Sequence, residues 1–229
     1  MTRSSNARIA GFTFLLYIAA GIASMALSAR AIAGDNVAAK LMSAGRHSLE
    51  MRMIVLLGLI QCICAILLAV TLYSITRDED PDLALLAMIC RVCEGLSGAL
   101  LLKTTLGVLW LAAFHEAGAP SQATVDALGT YFLQAPRGNV DAIFFAFGST
   151  LFAWLLLRGR MIPVPLAWLG VAASVLLAVA LPLQLAGFLN GQFVRFLWIP
   201  MAAYEIPLGL WLILKGVSAA PPPPGFAQK

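Results

Sequence analysis

The chain has 229 residues, of which 61% are hydrophobic and 11% charged, with a net charge of +4 and a mean hydropathy of +0.89. A soluble domain carries about 25% charged residues, so this composition excludes a chain that faces water over most of its surface. The 15 Lys and Arg are scattered, without a basic block or aromatic–basic interleaving, which argues against nucleic acid and leaves the cations to orient helices in a bilayer.

The apolar residues come in runs of about twenty, the length that crosses a membrane as a helix. Lipid cannot pair exposed backbone groups, so only helices or a closed barrel span it. Barrel strands alternate polar with apolar residues, and these runs do not. The predicted fold is all-α, a polytopic transmembrane helix bundle. It forms one integral membrane domain over residues 1–217, followed by a disordered Pro-rich tail over 218–229.

In chain order, the first predicted span is 9–29, preceded by Arg3 and Arg8. Its layout resembles a secretory signal, with AIA at 31–33 before Gly34 as a cleavage site. The apolar run exceeds the usual 7–15 residues of a signal peptide, which favours a retained helix. Asp35 or Asn36 then caps a short amphipathic turn carrying Val37, Leu41 and Met42. Span two is 53–75, and RDEDPD after it reads as a tight turn at Pro81. Span three is 83–113. Between 115 and 138, the spacing of Val125, Leu128, Tyr131 and Phe132 predicts a helix lying at the interface. Span four is 139–157, ended by RGR at 158–160. Span five is 163–186, opened by Pro163 and Pro165 where missing amide donors do little harm. Span six is 194–215, and PPPPG at 221–225 reads as an extended tail.

Six spans put both termini on one side. The cations Arg3, Arg8, Arg77, Arg158, Arg160, Lys215 and Lys229 fall on that side; Arg30, Lys40, Arg46, Arg52, Arg137 and Arg195 fall on the other. The count is nearly even, but the RGR turn is short and free of acids. The positive-inside rule therefore points to cytoplasmic termini.

Four stretches then carry a resemblance: ARIAGFTFLLYIAAGI at 7–22, the Arg-x-x-Glu of CRVCEG at 90–95, FFAFGSTLFAWLLLRGRMIPVPLAWLGV at 144–171, and EIPLGLWLILKG at 205–216. In order and spacing the chain resembles the bacterial six-span membrane proteins of domain of unknown function 4386, over residues 7–217. The resemblance implies the six-span fold and a bacterial inner-membrane location, and carries no activity with it. The chain departs from that family's His-x-x-Gly ahead of span four, where it reads QAPRGNVD, so no role of that histidine transfers.

Arg91, Glu94 and Glu205 are the charges that a membrane core would tolerate least. At about 1.5 Å per residue, Arg91 lies about 10 Å into span three. Glu94 lies about 15 Å in, near the middle of a core about 30 Å thick, and Glu205 reaches a similar depth from the other side. A charge at a helix centre costs about 2.5–3.5 kcal/mol. Arg91 and Glu94 share a helical face, and one guanidinium has donors for two carboxylates. The expected arrangement is a buried polar network in which Arg91 bridges Glu94 to Glu205, with Tyr204 alongside. Pro207 and Pro200 free the carbonyls of Ala203 and Phe196 nearby, as intramembrane sites and simple helix bends both do. Asn139 and Asp141, near the start of span four, are secondary candidates with capping as the plainer role. Lys103 is close enough to the surface to snorkel.

Other motifs carry little. Cys62, Cys64, Cys90 and Cys93 lie within spans and read as small apolar residues rather than a zinc site. His47 and His115 sit at membrane edges in different segments, and no His-x-x-x-His, nucleophile elbow, phosphate loop or dinucleotide fingerprint occurs. Ser149 has no base nearby in sequence. No cofactor or metal is implied. The expected partners are membrane lipids and, should six spans prove too few to enclose a pathway, a second copy of the chain.

Three readings of function follow. The network fixes helix packing in a non-enzymatic structural or interaction component. Alternatively, Glu94 or Glu205 titrates in a carrier for a small solute or proton. Alternatively, the same carboxylates act as acid and base in a lipid-modifying intramembrane enzyme.

Overall fold

The computed structural model describes residues 2–117, 121–134, 140–189 and 191–218. Among these the chain is helical throughout, in eight helices with no strand: α1 (Arg3–Ala31), α2 (Val37–Arg46), α3 (Ser48–Thr76), α4 (Pro81–Ala117), α5 (Gln122–Gln134), α6 (Val140–Arg158), α7 (Val164–Leu185) and α8 (Gly191–Leu214). Six of them, all but α2 and α5, are long and apolar enough to cross a membrane. Aliphatic side chains such as Leu56, Ile63 and Val179 stay exposed on these helices, a surface made for acyl chains rather than water. This is a multi-pass membrane protein. The tail expected beyond residue 218 lies outside the described residues.

The helices outrun their apolar spans. α1 begins six residues before the predicted start, α3 begins at Ser48 rather than 53, and α4 continues to Ala117. Hydropathy marks what lipid can dissolve, whereas a helix continues into the interface as long as its backbone is paired. Pro81 and Pro165 stand in the first turns of α4 and α7, where no amide donor is missed. Pro182, Pro200 and Pro207 fall inside helices that nevertheless continue.

The chain divides into two compact units, with the boundary inside α1, α3, α4 and α6. The first comprises residues 1–15, 66–92 and 142–229. Its core combines Ala7, Ala10 and Phe14 of α1 with Leu72 and Ile75 of α3, Phe152 of α6, Leu177 of α7 and Leu208 of α8. Water gives no hydrophobic drive between helices in lipid, so close packing at small residues does the work. Gly11 shows how close. A Cβ there would lie 2.5 Å from the carbonyl oxygen of Gly209 on α8 and 2.9 Å from the amide nitrogen of Ile213. Hydroxyls in the unit turn back on their own helices: Thr71 donates to Leu67 O at 2.7 Å, Thr150 to Ala146 O at 2.8 Å, and Ser174 to Gly170 O at 2.7 Å. None therefore meets lipid unpaired.

One end of this unit gathers its turns. Asp80 caps α4 by accepting from Leu83 N at 3.1 Å. Arg158, at the end of α6, reaches Glu79 at 3.1 Å and Asp80 at 3.3 Å. Ser218 N donates to Met161 O at 3.0 Å, and Arg3 donates to the sulfur of Met161 at 3.4 Å. Within the unit, the start of α1, the two turns and residue 218 thus lie together, as a six-span path requires.

The second unit comprises residues 16–65 and 93–141. Asn36 caps α2, its side-chain oxygen accepting from Ala39 N at 2.8 Å, as its position before Val37 predicts. α2 packs on α5, with Val37 and Leu41 seated over Gly129. Leu41, Ala44, Met51, Leu111 and Val125 form the core. Tyr131 departs from the expected apolar face of α5: it is 66% exposed, while Val125 is buried and Phe132 partly so. At about 100° per residue, position 131 points some 120° away from position 125, and Gly129 takes the facing position instead. His47 ends α2, its Nδ1 lying 2.9 Å from Ser43 O, which accounts for one of the two histidines.

Gly11→Ala forces a methyl group onto backbone that cannot yield, and overpacking of this kind costs about 1–3 kcal/mol. Gly209→Ala meets the flexible end of Leu15 at 3.1 Å and Gly11 O at 3.2 Å. Thermal unfolding in detergent is expected to show a clear drop in Tm for Gly11→Ala and a smaller one for Gly209→Ala; the reverse order would contradict this packing.

Candidate functional site

Arg91 is a charged side chain on a lipid-soluble helix, so it must find company inside the protein. It is 1% exposed. Its guanidinium carbon stands 5.0 Å from the ring centroid of Phe145 on α6 and 5.9 Å from that of Phe14 on α1. Two aromatic faces thereby hold the planar cation, an arrangement worth about 2 kcal/mol per face when desolvated. The glycine at 148 makes room for the stem: a Cβ there would come within 3.1 Å of Arg91 Cγ.

Tyr204 and Glu205, from α8, are buried in the same unit at 2% and 6% exposure. The Tyr204 ring lies directly over Gly170 of α7, where any Cβ would overlap it. Arg91, Ser149, Tyr204 and Glu205 line one cavity of only about 10 Å³. That holds about one water molecule. This half of the expected network is packed shut.

Glu94 belongs to the second unit and is 4% exposed. Tyr17 of α1 donates to its Oε1 at 2.8 Å. Both line a cavity of about 260 Å³. Its polar wall includes Ser24 and Ser28 of α1, Gln61 of α3, Thr105 of α4 and Asp141 of α6. Gly58, Gly95 and Gly98 leave the space open. Among the described residues, none that lines it is basic.

The structure thus brings Arg91, Tyr204 and Glu205 to one cavity and Glu94 and Asp141 to another. Asp141, predicted as a cap, stands in the first turn of α6 and on the wall of the larger cavity. Asn139 lies outside the described residues. Sequence reasoning missed Tyr17, Ser24, Ser28, Gln61 and Thr105. A signal did exist: Tyr17, Ser24 and Ser28 recur at seven and four residues, as do Glu94, Gly98 and Thr105 at four and seven. Both patterns make one helical face.

Cys62, Cys64, Cys90 and Cys93 form no disulfide. Among the described residues, no three or more His, Cys, Asp or Glu side chains cluster so as to hold a metal ion.

The model of one protein family, described as domain of unknown function (DUF4386), matches residues 9–216. Neither a curated protein nor a solved structure matches the chain.

Arg91→Lys keeps the charge but loses the broad guanidinium that lies over the Phe14 and Phe145 rings. It is expected to destabilise the detergent-solubilised protein by about 1–2 kcal/mol, seen as a lowered Tm, with Phe145→Leu lowering it as well. Wild-type melting in both variants would show that the cation–ring contacts contribute nothing.

Proposed function

Since the chain belongs to the DUF4386 family, we propose that this multi-pass membrane protein is a carrier for a small solute rich in hydrogen-bond donors, such as an organic cation. The observation that carries this reading is the larger cavity. A polar chamber of about 260 Å³ lies among spanning helices, and polar groups at membrane depth characteristically face such chambers. Ligand pockets start at about 300 Å³, so the solute is small.

In this reading Glu94 is the principal acceptor and Tyr17 holds its carboxylate in position. Asp141 supplies a second acceptor, and Gln61, Ser24, Ser28 and Thr105 complete the hydrogen bonding of the solute. The carboxyl groups of Glu94 and Asp141, with no Lys or Arg among the described lining residues, support a cation over an anion. Arg91, Tyr204 and Glu205 do the structural work in the first unit, where a cavity of about 10 Å³ admits no solute. The structural reading and the carrier reading therefore describe different parts of one molecule. The RGR turn supports cytoplasmic termini by the positive-inside rule, and the family resemblance supports the bacterial inner membrane as the location.

Proteoliposomes loaded with the purified protein test this by uptake of radiolabelled methylammonium and guanidinium. Uptake above protein-free vesicles is expected for at least one of them. Glu94→Gln and the cavity-filling Gly98→Leu should each reduce it at least about tenfold, the loss of one charged hydrogen bond, while still folding. Tyr17→Phe should weaken it without abolishing it. Uptake by Glu94→Gln equal to wild type, or no uptake of either cation, would sink the proposal.

A further inference from the structure

A groove on the first unit has no part in the polar chamber. It runs from the first turns of α1 to the last turns of α3 and encloses about 600 Å³. We propose that it is a binding site for one anionic phospholipid, with the phosphodiester held between Arg3 and Arg77 and an acyl chain lying along Ile9, Leu67 and Val70.

The groove has two chemically distinct parts. Its polar end presents two guanidinium groups and the amide of Asn6, which is only 7% exposed. Asp78 lies there too, 3.8 Å from Arg77, so the local charge is one net positive, the complement of a single phosphodiester. Arg3 donates one terminal nitrogen to the sulfur of Met161 at 3.4 Å, and its Nε is buried without a hydrogen-bond partner. A buried cationic donor without an acceptor is costly, and a phosphate oxygen is the acceptor that suits a guanidinium best. Thr71 and Ser74 do not compete for that phosphate, because both hydroxyls donate to their own helix, at Leu67 O and Val70 O.

The other end decides between a lipid and a free anion. Leu67 and Val70 are 45% and 52% exposed on a spanning helix, so the wall continues from the guanidinium groups into the region of acyl chains. A free phosphate would occupy the polar end and leave this wall without a ligand. A phospholipid covers both.

Native mass spectrometry of the full chain, released from micelles holding equal amounts of phosphatidylglycerol and phosphatidylcholine, reads the site directly. Wild type should retain phosphatidylglycerol preferentially. Arg3→Ala and Arg77→Ala should each reduce that retention about five-fold, the usual effect of one basic residue near an anionic headgroup. Arg8→Ala, an exposed cation that does not line the groove, should not. Should Arg3→Ala fail to fold, Arg77→Gln in the exposed turn tests the same contact. Equal retention of both lipids, retention unchanged in the Arg77 variants, or displacement of the lipid by millimolar inorganic phosphate would each overturn the proposal.

Discussion

A full charge in a lipid-soluble helix has to be accommodated by the protein itself, and the burial of Arg91 is where this chain meets that constraint. The guanidinium is enclosed by Phe14 and Phe145 and its stem by the missing side chain of Gly148. α1, α4 and α6 therefore meet around one side chain, and their mutual rotation is fixed by it. Apolar packing alone would leave neighbouring rotations of a helix nearly equal in energy, because lipid tails are as good a partner as leucine. A stacked cation is not so tolerant.

The glycines show the same economy in a different form. Gly11 admits the backbone of α8, Gly148 admits the stem of Arg91, and Gly170 admits the ring of Tyr204. Each is a place where a large or polar group of one helix is received by an absence on another. In the second unit Gly129 likewise receives Val37 and Leu41, and Gly58 receives Leu102, while Gly95 and Gly98 line the larger cavity. The same residue type thus packs helices in both units and borders the space beside Glu94 in one of them.

Much of the architecture was legible in the sequence because hydropathy reports the solvent directly. All six spans were found, as was the cap at Asn36, since a polar residue before an amphipathic run has few other uses. Arg91, Glu94 and Glu205 stood out because charge in such runs is costly; Arg91 and Glu205 line one cavity with Tyr204, and Glu94 lines the other. The helix ends were not legible: residues 48–52 are too polar for lipid yet remain helical. Tyr131 stands at the far edge of the α5 apolar face, about 120° from Val125, and whether such an edge position is covered depends on the neighbouring helix. The larger cavity escaped notice because Tyr17, Gln61 and Thr105 are each unremarkable in an apolar run. They come to one cavity only when α1, α3 and α4 are packed together, and that is tertiary information.

The turn after α3 and the turn after α6 are joined by Arg158, which reaches both Glu79 and Asp80. During insertion that arginine counts toward the choice of side, because cations weigh on orientation and acids hardly do. Once both hairpins are in place it is occupied by the acidic turn. One residue thus carries two roles in succession, an address label for a growing chain and then a clasp between two finished loops.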